Sequence, residues 1–546
     1  MAGLLRARAD DDHPALLFED ETWTWSALVR AAAARAALLE GARRPGPFHV
    51  GVLLDNTPEY LAWIAGAALA GAAVVGINPT RRGEELAHDV RHTDCQLLVT
   101  DGEHVRLLDG LDTGVGPDRR LMIDGPDYRE AVDAVAGRPL PDVPPAPTDR
   151  LLLLFTSGST GAPKAVICTQ GRLASIAART PSMFGIDRDT VTYQAMPLFH
   201  GNALMANWAP VLGVGATMAL RRRFSATGFL PDVRRYRAGF FNYVGRSIAY
   251  ILATPATADD LDNQLRLGFG TEASARDMTA FRERFGCELL ESYGSSEGAI
   301  STQKTPDTPA NSIGVPPPGV DVAVVDPATR RECPPARFDA DGRLMNGDVA
   351  IGELVGRNVG TAFEGYYNNP EADAERLRDG RYWSGDLGYR DVDGWLYFAG
   401  RGGDWLRVDS ENFAAGPVER IIARYPPAVM AAVYPVPDPR TGDQVMATLE
   451  LAPRAGFDPA GFRSFLDDQA DLGTKWMPRF VRITGAMPLT ASNKVEKHRL
   501  RSQGWLVDDP VWWQPERGGA YETLTAEAVA RLRSAFAEHG RLSLLG

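Results

Sequence analysis

A loop of small and hydroxyl-bearing residues that ends in a lysine is well suited to bind an anion. Residues 151–166 read LLLLFTSGSTGAPKAV. Small residues let a backbone come close to an anion, hydroxyl and turn N–H groups can donate hydrogen bonds to it, and Lys164 adds a positive charge. The Gly-Lys-Ser/Thr ending of a Walker A loop is absent, because Pro163 precedes Lys164 and Ala165 follows it. The sequence therefore predicts a phosphate-binding loop of another type.

The apolar residues on both sides of this loop indicate how the chain positions it. Residues 151–155 and 166–168 have the composition and length of buried strands. A flexible Gly/Ser turn with a solvated lysine is the alternative interpretation, and the two flanking strands weaken it. A buried strand that runs into such a loop would present it at the edge of a parallel sheet, where α/β proteins bind ligands.

Two further polar segments carry side chains that could bind a metal ion or a phosphate. Residues 292–298 (SYGSSEG) follow a predicted strand at 287–291, so Glu297 would lie at a strand end among small hydroxyl residues. Mg²⁺ binds one or two carboxylates together with phosphate oxygens, which makes Glu297 a candidate ligand. Lys494 lies in the polar turn 489–495 (LTASNKV), and on its own it would be expected to be a surface lysine.

Length, charge and cysteine content narrow the class of protein. A chain of 546 residues exceeds what one hydrophobic core usually serves, so two or more domains are expected. A formal net charge of −12 argues against a nucleic-acid-binding surface. The four cysteines form no CxxC pair, which argues against a disulfide framework or a zinc site. Because the sequence also shows no signal-peptide core and no apolar run of spanning length, we expect a cytoplasmic protein.

Predicted strands alternate with predicted helices along the first half of the chain. Residues 49–55 and 72–77 have the pattern of buried strands, and residues 22–42 have that of an amphipathic helix. Thr57 is suited to the N-cap of another helix and Pro58 to its first turn. Strands that alternate with helices of about 10–15 residues are typical of a doubly wound parallel sheet, so the expected fold class is α/β.

The pattern changes twice in the second half of the chain. Residues 312–401 contain short β segments separated by Gly/Pro turns, which predicts a small β-barrel. Gly402 and Gly403 then precede a smaller α/β section and could act as a pivot. We therefore expect a large N-terminal domain of residues 1–402, with doubly wound sheets and the small barrel, followed by a smaller mobile α/β domain of residues 403–546.

Seven motifs occur along the chain in the order TSGSTGAPK, PLFHG, GFGTEAS, YGSSEG, YWSGDLG, AGRGGDWLR and TASNKVEK. Their order and spacing resemble the acyl-adenylate-forming (ANL) superfamily of AMP-binding enzymes over nearly the whole chain. The motifs GTEAS, YGSSEG and NKV look most similar to those of fatty-acid and sterol-side-chain acyl-CoA ligases. The resemblance implies an AMP-binding N-terminal domain, a mobile C-terminal domain, and the use of ATP (released as AMP), Mg²⁺ and coenzyme A.

The resemblance also implies a role for each residue at a motif position. Implied to bind the nucleotide are Thr156, Ser157, Gly158, Ser159, Thr160, Gly161, Lys164, Gly270, Thr271, Glu272, Ala273, Tyr293, Gly294, Asp386 and Arg401. Implied to form the acyl pocket are His200, Gly201, Asn202, Tyr243 and Gly270. The implied catalytic residues are Lys494, Ser296, Glu297 and His200, with Glu297 as the magnesium ligand. Asp404 is the implied hinge, and the residues implied to lie along the route of coenzyme A are Arg407, Ser410 and Glu411.

Three positions depart from the pattern of the family. Ser410 and Asn493 stand where the family usually has glycine, and Val244-Gly245 stands where Val-Pro is frequent. If the backbone at residue 410 needs a positive φ, a serine there costs on the order of 1 kcal/mol. Two of the three positions lie in the expected mobile domain, where the two half-reactions are separated. The departures leave open that the chain performs one half-reaction better than the other.

The leading prediction is an ATP-dependent acyl-CoA ligase of lipid metabolism that activates a bulky hydrophobic acid of long-chain, sterol or terpenoid type. Three alternatives stay open: thioesterification of a preformed acyl-adenylate, transfer of the acid to a carrier protein, and a binding protein without catalysis. The expected partners are the acid or its adenylate and coenzyme A, with no nucleic acid and no transmembrane segment. The sequence does not identify the acid, and it leaves homodimer formation open.

Overall fold

The structure, a computed structural model, describes the chain except for short gaps. The residues outside the description are 157–163, 272, 274, 306, 310, 341–343, 360–361, 402–404, 409–410, 441, 470–471, 474, 491–493 and 546. The predicted site residues that fall in these gaps are Ser157, Gly158, Ser159, Thr160, Gly161, Glu272, Asp404 and Ser410. For Arg401, Arg407 and Glu411 the backbone alone is described.

Strands and helices alternate through residues 1–291. The strands are β1 (Pro14–Phe18), β2 (Glu21–Thr24), β3 (His49–Leu53), β4 (Ala73–Gly76), β5 (Cys95–Thr100), β6 (Arg120–Met122), β7 (Arg150–Thr156), β8 (Lys164–Thr169), β9 (Val191–Gln194), β10 (Thr217–Leu220), β11 (Phe240–Val244), β12 (Leu267–Thr271) and β13 (Glu288–Glu291). The helices are α1 (Ala2–Arg6), α2 (Trp25–Ala42), α3 (Pro58–Ala70), α4 (Gly83–His92), α5 (Pro126–Ala134), α6 (Gln170–Phe184), α7 (Gly201–Ala203), α8 (Ala209–Val214), α9 (Ala226–Tyr236), α10 (Gly245–Leu252) and α11 (Ala275–Phe285).

These strands form two sheets that are mainly parallel. One sheet has the order β6-β5-β3-β4-β7-β8, and the other has the order β13-β12-β11-β9-β10-β1-β2. The exceptions lie at one edge of each sheet, where β8 pairs antiparallel with β7 and β2 pairs antiparallel with β1. The expected doubly wound α/β arrangement is confirmed, with an antiparallel edge strand added to each sheet. The predicted anion loop connects the two strands of the β7–β8 hairpin.

The helix predicted at residues 22–42 begins later than expected. Glu21–Thr24 form strand β2, and α2 starts at Trp25. The alternation of threonine and tryptophan in this segment suits a strand, which explains why the helical pattern was extended too far. The Thr24 side chain then caps α2 by accepting a hydrogen bond from the Ala27 N–H at 3.1 Å.

The predicted start of α3 is confirmed. The Thr57 hydroxyl accepts a hydrogen bond from the Tyr60 N–H at 3.3 Å, and Pro58 is the first residue of the helix. The helix ends at Gly71, whose φ of 69° is a conformation that glycine adopts without strain. Local sequence signals therefore decide both ends of this buried helix.

An antiparallel β unit and a C-terminal sheet follow in the chain. The strands of the antiparallel β unit are β14 (Val322–Val325), β15 (Gly352–Gly356), β16 (Leu377–Arg378), β17 (Arg381–Arg390) and β18 (Leu396–Arg401). The later strands are β19 (Trp405–Val408), β20 (Glu411–Ala414), β21 (Ala428–Pro437), β22 (Asp443–Leu451), β23 (Phe480–Thr484), β24 (Val511–Trp513) and β25 (Glu522–Thr523). The helices in this part are α12 (Gly347–Ala350), α13 (Pro370–Arg376), α14 (Ala415–Ile422), α15 (Pro459–Asp467), α16 (Lys497–Gln503) and α17 (Ala526–Glu538).

The strands after residue 320 pair within their own units. The antiparallel β unit has the order β14-β15-β17-β16, with β18 also paired to β17. The strands β21-β22-β23-β24-β25 form a separate mixed sheet. Its hydrophobic cluster, which includes Leu406 and Phe462, is distinct from the main cluster around Trp63. A separate core fits the expected C-terminal domain, whose boundary near residue 402 stays a prediction.

Strand β4 lies close to the PLFHG segment, and this contact positions the backbone next to His200. At Gly76, an added Cβ would lie 2.8 Å from the Phe199 carbonyl oxygen and 2.9 Å from its Cα. Only glycine therefore allows this contact between β4 and the backbone just before His200.

Among the described residues, no helix is both long and apolar enough to cross a membrane.

We expect Gly76→Ala to lower the free energy of unfolding by about 1–3 kcal/mol, because the methyl group would push against backbone atoms that cannot move independently. Urea unfolding followed by circular dichroism measures the change. Gly41→Ala is the matched control, because a Cβ at Gly41 meets no atom within 4 Å and alanine favours the helix. Equal stability of Gly76→Ala and wild type would mean that this contact can open without cost.

Candidate active site

A large cleft brings together the motifs that are distant in sequence. It has a volume of about 2380 Å³ and is lined by residues of both mainly parallel sheets, the antiparallel β unit and the C-terminal part of the chain. The predicted site residues that line it are Thr156, Lys164, His200, Gly201, Asn202, Thr271, Ala273, Tyr293, Gly294, Ser296, Glu297, Asp386 and Lys494.

A short segment of the β unit covers the outer edge of β8 beside this cleft. The Ile167 N–H donates a hydrogen bond to the Gly365 carbonyl oxygen at 3.1 Å, and the Tyr367 N–H donates to the Ala165 oxygen at 2.8 Å. An exposed strand edge tends to pair with another strand, and residues 365–367 satisfy that tendency within the chain. The pairing aims the side chain of the residue between them, Tyr366, into the cleft.

Tyr366 lies between two of the predicted site residues. Its hydroxyl donates a hydrogen bond to Glu297 Oε1 at 3.0 Å, and Lys164 Nζ lies 5.4 Å from the centre of its ring. The Lys164 ammonium is also 3.0 Å from Glu375, and the hydrogen bond from Lys164 lowers the pKa of that carboxyl. The lysine is buried while Glu375 is exposed, so an incoming phosphate could replace Glu375 as its counter-ion.

The acidic groups of the cleft fit a magnesium ion held together with phosphates. Among the described residues there is no group of three His, Cys, Asp or Glu side chains that could hold a metal by themselves. Glu297 is 8% exposed and lines the cleft, and the hydrogen bond from Tyr366 uses only its Oε1 atom. One carboxylate beside hydroxyl groups and a phosphate-binding lysine is a donor set that Mg²⁺ accepts when phosphates complete its shell.

Two of the predicted nucleotide-binding residues, Tyr293 and Asp386, are joined by a hydrogen bond. The Tyr293 hydroxyl donates to Asp386 Oδ2 at 2.5 Å. Burial, followed by the nearby Asp386 charge, raises the pKa of Tyr293, so the phenol stays protonated and remains a donor. Asp386 on β17 is also the register partner of Arg401 on β18, which places two predicted nucleotide-binding positions side by side.

Arg172 on α6 holds the YGSSEG segment, and the sequence analysis did not identify it. Its guanidinium donates to the Ser296 carbonyl oxygen and, at 3.2 Å, to the Ile167 oxygen. It also packs against Gly298, where φ is 71° and an added Cβ would lie 2.2 Å from a guanidinium nitrogen. The residue that ties β8 to the Ser296 segment is therefore separated from Ser296 by 124 positions, which no local pattern reveals.

His200 and Lys494 approach each other across the cleft. Burial, followed by the positive charge of Lys494, lowers the pKa of His200 to about 4. The imidazole is therefore neutral at physiological pH. Lys494 lies in a closed turn, because its N–H donates to the Thr490 hydroxyl at 3.1 Å and its carbonyl oxygen accepts from the Thr490 N–H at 2.8 Å. The lysine lines the cleft and does not have the surface position expected for an isolated lysine.

The opposite side of the cleft is mainly apolar. It is lined by residues of α6, α10, the end of β12 and the segment after His200, namely Ile176, Thr180, Met183, Phe184, Met205, Ala206, Val244, Ala249, Leu252, Ala253 and Phe269. A wall of this composition suits the hydrocarbon part of a ligand. Asn202 is a polar member of the same wall.

Two predicted acyl-pocket residues face the other side of the sheet. Tyr243 is 1% exposed and packs against Phe241 with ring centres 5.7 Å apart. Its ring fills the space beside Gly270, where an added Cβ would lie 2.6 Å from Tyr243 Cδ2. Because side chains alternate along β11, Val244 faces the cleft and Tyr243 faces away. The prediction that Tyr243 lines the acyl pocket is therefore wrong, and Gly270 serves to accommodate the tyrosine.

Comparison with known proteins identifies the family. Residues 5–367 match the family model of the AMP-binding enzyme, and residues 417–494 match that of the AMP-binding enzyme C-terminal domain. The chain thus belongs to the AMP-binding enzymes of the acyl-adenylate-forming superfamily, as the seven motifs predicted.

Two relatives are similar along nearly their whole length. The chain is 53% identical to the steroid-22-oyl-CoA synthetase of Rhodococcus jostii (strain RHA1), over 100% of this chain and 98% of that protein. It is 44% identical to the medium/long-chain-fatty-acid–CoA ligase FadD17 of Mycobacterium marinum, over 91% of this chain and 95% of the relative.

Solved structures share the fold at lower identity. ATP-bound MatB from Rhodopseudomonas palustris has a TM-score of 0.80 at 24% identity, with 92% of this chain and 98% of that chain covered. The anthranilate CoA ligase AuaEII in complex with anthranoyl-AMP has a TM-score of 0.79 at 22% identity, with 92% and 96% covered. These matches confirm the expected α/β fold.

We expect Arg172→Lys to weaken ATP binding by about tenfold. Lysine keeps the charge but cannot reach two carbonyl oxygens with one planar group, so the Ser296 segment loses a charge-assisted hydrogen bond. Isothermal titration calorimetry gives the dissociation constants. Arg235→Lys is the control, because Arg235 is an exposed arginine that binds Asp20 on the surface. An affinity equal to wild type in Arg172→Lys would show that the segment holds its shape without the arginine.

His200 should make stability depend on pH between about 4 and 6.5. Since its pKa falls from the ordinary 6.5 to about 4 on folding, the unfolded chain binds the proton first and stability is lost as pH falls through this window. Above pH 6.5 the residue contributes no slope. Unfolding in urea at a series of pH values, for wild type and His200→Gln, measures the difference. Parallel curves for the two proteins over the whole range would contradict a depressed pKa.

Proposed function

We propose that this chain is an AMP-forming acyl-CoA ligase that activates a bulky hydrophobic carboxylic acid. The observation that carries the proposal is the composition of one cleft, in which Lys164, Glu297 and Lys494 face a largely apolar wall. The polar side suits ATP and the apolar side suits the hydrocarbon of an acid. The relatives named as steroid-22-oyl-CoA synthetase and fatty-acid–CoA ligase support the same reaction and a large hydrophobic substrate.

In the first step, a carboxylate oxygen of the acid attacks the α-phosphorus of ATP. The new bond makes an acyl-adenylate, and the bond between the α- and β-phosphates breaks to release pyrophosphate. Negative charge grows on the oxygens around phosphorus, so fixed cations and donors stabilise the transition state. We assign Lys494 and the Ser296 hydroxyl to the α-phosphate and Lys164 to the departing pyrophosphate.

The remaining polar groups would bind and orient the nucleotide. Glu297 would hold Mg²⁺ together with phosphate oxygens, and the ion would supply positive charge that offsets the charge of the phosphates. Asp386 and Arg401 are assigned to the ribose hydroxyls and Tyr293 to the adenine, beside the backbone of residues 270–273. The anion loop, from Thr156 to Lys164, is assigned to the phosphates. Positioning of this kind accounts for much of the catalysis in phosphoryl transfer.

In the second step, the thiol of coenzyme A loses its proton to solvent, and the thiolate attacks the acyl carbonyl. The thioester bond forms as the bond between the acyl carbon and the phosphate oxygen of AMP breaks, and AMP leaves. We propose that residues 403–546 rotate about Asp404 relative to residues 1–402, so that Lys494 withdraws before the thiol arrives. Arg407, Ser410 and Glu411 would then face the route of coenzyme A. The hairpin of β19 and β20 carries Arg407 and Glu411 close together, since Arg407 pairs with Asn412 and Val408 with Glu411.

We also propose a cytoplasmic location. The four cysteines are free thiols, three of them buried, which suits a reducing compartment. Size-exclusion chromatography with light scattering decides whether the chain forms a homodimer.

We expect Lys494→Ala to abolish acid-dependent exchange of pyrophosphate into ATP, with a loss of about 100-fold or more, because its charge is placed for the first step. Thioester formation from a supplied acyl-adenylate should be retained in the same variant. Labelled-pyrophosphate exchange measures the first step, and chromatographic detection of acyl-CoA measures the second.

The same two assays separate the proposal from its alternatives. Wild-type protein that shows no exchange with any long-chain or steroid acid, yet converts a supplied adenylate to acyl-CoA, would be a half-reaction enzyme. Exchange without any thioester to coenzyme A, but with loading of a carrier-protein thiol, would contradict the CoA assignment. Lys497→Ala serves as a control for removal of a nearby lysine, because Lys497 forms an ion pair with Glu419 within the C-terminal part.

A further inference from the structure

Four polar side chains form a hydrogen-bonded relay that begins in the core and ends at the apolar wall of the cleft. The Thr192 hydroxyl donates to Asn207 Oδ1 at 2.7 Å, Asn207 Nδ2 donates to Asn242 Oδ1 at 2.9 Å, and Asn242 Nδ2 donates to Asn202 Oδ1 at 2.7 Å. Thr192, Asn207 and Asn242 are 0%, 0% and 3% exposed. Burying polar groups is costly unless they are paired, and this relay pairs each of them.

The orientation of each amide in the relay is fixed by the Tyr193 carbonyl oxygen, which can only accept a hydrogen bond. Asn207 Nδ2 also donates to the Tyr193 carbonyl oxygen at 3.2 Å, so both amide hydrogens of Asn207 are used. Asn242 must then present its oxygen to Asn207 and its nitrogen to Asn202. By the same reasoning, Asn202 accepts through its oxygen, and its NH₂ group is left as the end of the relay.

A local irregularity of the backbone supports this arrangement. Asn207 lies in a π-helical turn, Leu204–Trp208, between α7 and α8. A π turn is uncommon, and it often marks a functional position in a helix. Here it inserts Asn207 between strands β9 and β11, which carry Thr192 and Asn242.

The NH₂ group of Asn202 donates to no atom of the described residues, and Asn202 lines the cleft. Thr180 on the same wall differs, because its hydroxyl donates to the Ile176 carbonyl oxygen of its own helix at 2.7 Å. The amide of Asn202 is therefore an oriented donor with two hydrogens on a mainly apolar surface.

The register of the sheet places this donor away from the nucleotide. Val244 is opposite Thr271, which belongs to the nucleotide motif, whereas Asn242 is opposite Phe269. Two residues along a strand correspond to about 7 Å, so the Asn242–Asn202 pair lies deeper on the acyl side. The donor is thus offset along the sheet from Thr271 and lies on the part of the wall that contains Phe269.

We propose that the acid used by this enzyme carries an acceptor oxygen, a ketone or a hydroxyl, on its skeleton, and that Asn202 donates a hydrogen bond to it. Asn242, Asn207 and Thr192 are positioning residues that fix the Asn202 amide with its nitrogen toward the substrate. This inference rests on the proposed ligase function and names the substrate class of the same cleft. A plain hydrocarbon would leave the donor unpaired, which disfavours it relative to an oxygenated partner.

The test compares matched acids that differ by one oxygen. Dodecanoic acid is compared with its oxo derivatives at successive carbons, and a steroid acid with its counterparts bearing one ring ketone or hydroxyl. For each pair, the ratio of kcat/KM is measured by acyl-CoA formation. Wild type should prefer one position of the oxygen by about fivefold to tenfold, which is the effect of one hydrogen bond.

Variants of the relay residues test whether Asn202 acts as a hydrogen-bond donor to the substrate or has only a structural role. Asn202→Leu should bring the ratio close to one. Asn202→Asp should reverse the ratio for the keto acids, because a carboxylate still accepts from Asn242 but repels a ketone oxygen, whereas a hydroxyl can donate to the carboxylate. Asn242→Leu should raise KM for the oxygenated acid while kcat with the plain acid changes little. Thr180→Val is the matched control on the same wall and should keep the wild-type ratio.

Three outcomes decide the matter. If wild type forms acyl-CoA from plain and oxygenated acids with equal kcat/KM at every position tested, the inference is overturned while the ligase function stands. If no acid gives acyl-CoA or pyrophosphate exchange, the proposed function itself fails. A preference that survives in Asn202→Leu would assign the recognition to another residue and also overturn the inference.

Discussion

The pairing of residues 365–367 with the outer edge of β8 is the constraint on which the polar half of the cleft depends. It joins the antiparallel β unit to the hairpin that carries the anion loop, across about 200 residues of chain. Tyr366 then reaches Glu297 on one side and Lys164 on the other. Without this backbone pairing, the carboxylate assigned to magnesium and the lysine assigned to pyrophosphate would have no common support.

The charges of the cleft are arranged so that phosphates can replace existing partners. Lys164 has an exposed counter-ion in Glu375, which can move into solvent when a phosphate arrives. His200 is kept neutral by burial and by Lys494, so it adds no second positive charge to the acyl side. Lys164 and Lys494, the cations assigned to the nucleotide, therefore face a wall that is mainly apolar and carries a neutral imidazole at His200.

Local patterns in the sequence predicted the fold and most of the cleft, whereas contacts between distant segments were not accessible. Thr57 and Pro58 mark the start of α3, and the motif residues around Glu297 and Lys494 do line one cleft. The side of β11 on which Tyr243 lies was predicted wrongly, because a motif position does not specify which side of the strand a side chain faces. Arg172 and Tyr366 were missed because their partners lie 124 and 69 positions away, and an arginine or tyrosine in isolation gives no sign of its partner.

The donor at the acyl wall is an amide and not a charged group, and the physical reason is the surrounding surface. A lysine or arginine fixed beside Met205 and Phe269 would lose much of its hydration and would need a partner ion. An amide has a smaller desolvation cost, and the relay from Thr192 satisfies its oxygen while leaving its nitrogen free for a ligand. A neutral, oriented donor can therefore favour a hydrophobic acid that carries one additional oxygen, while the rest of the pocket still binds hydrocarbon.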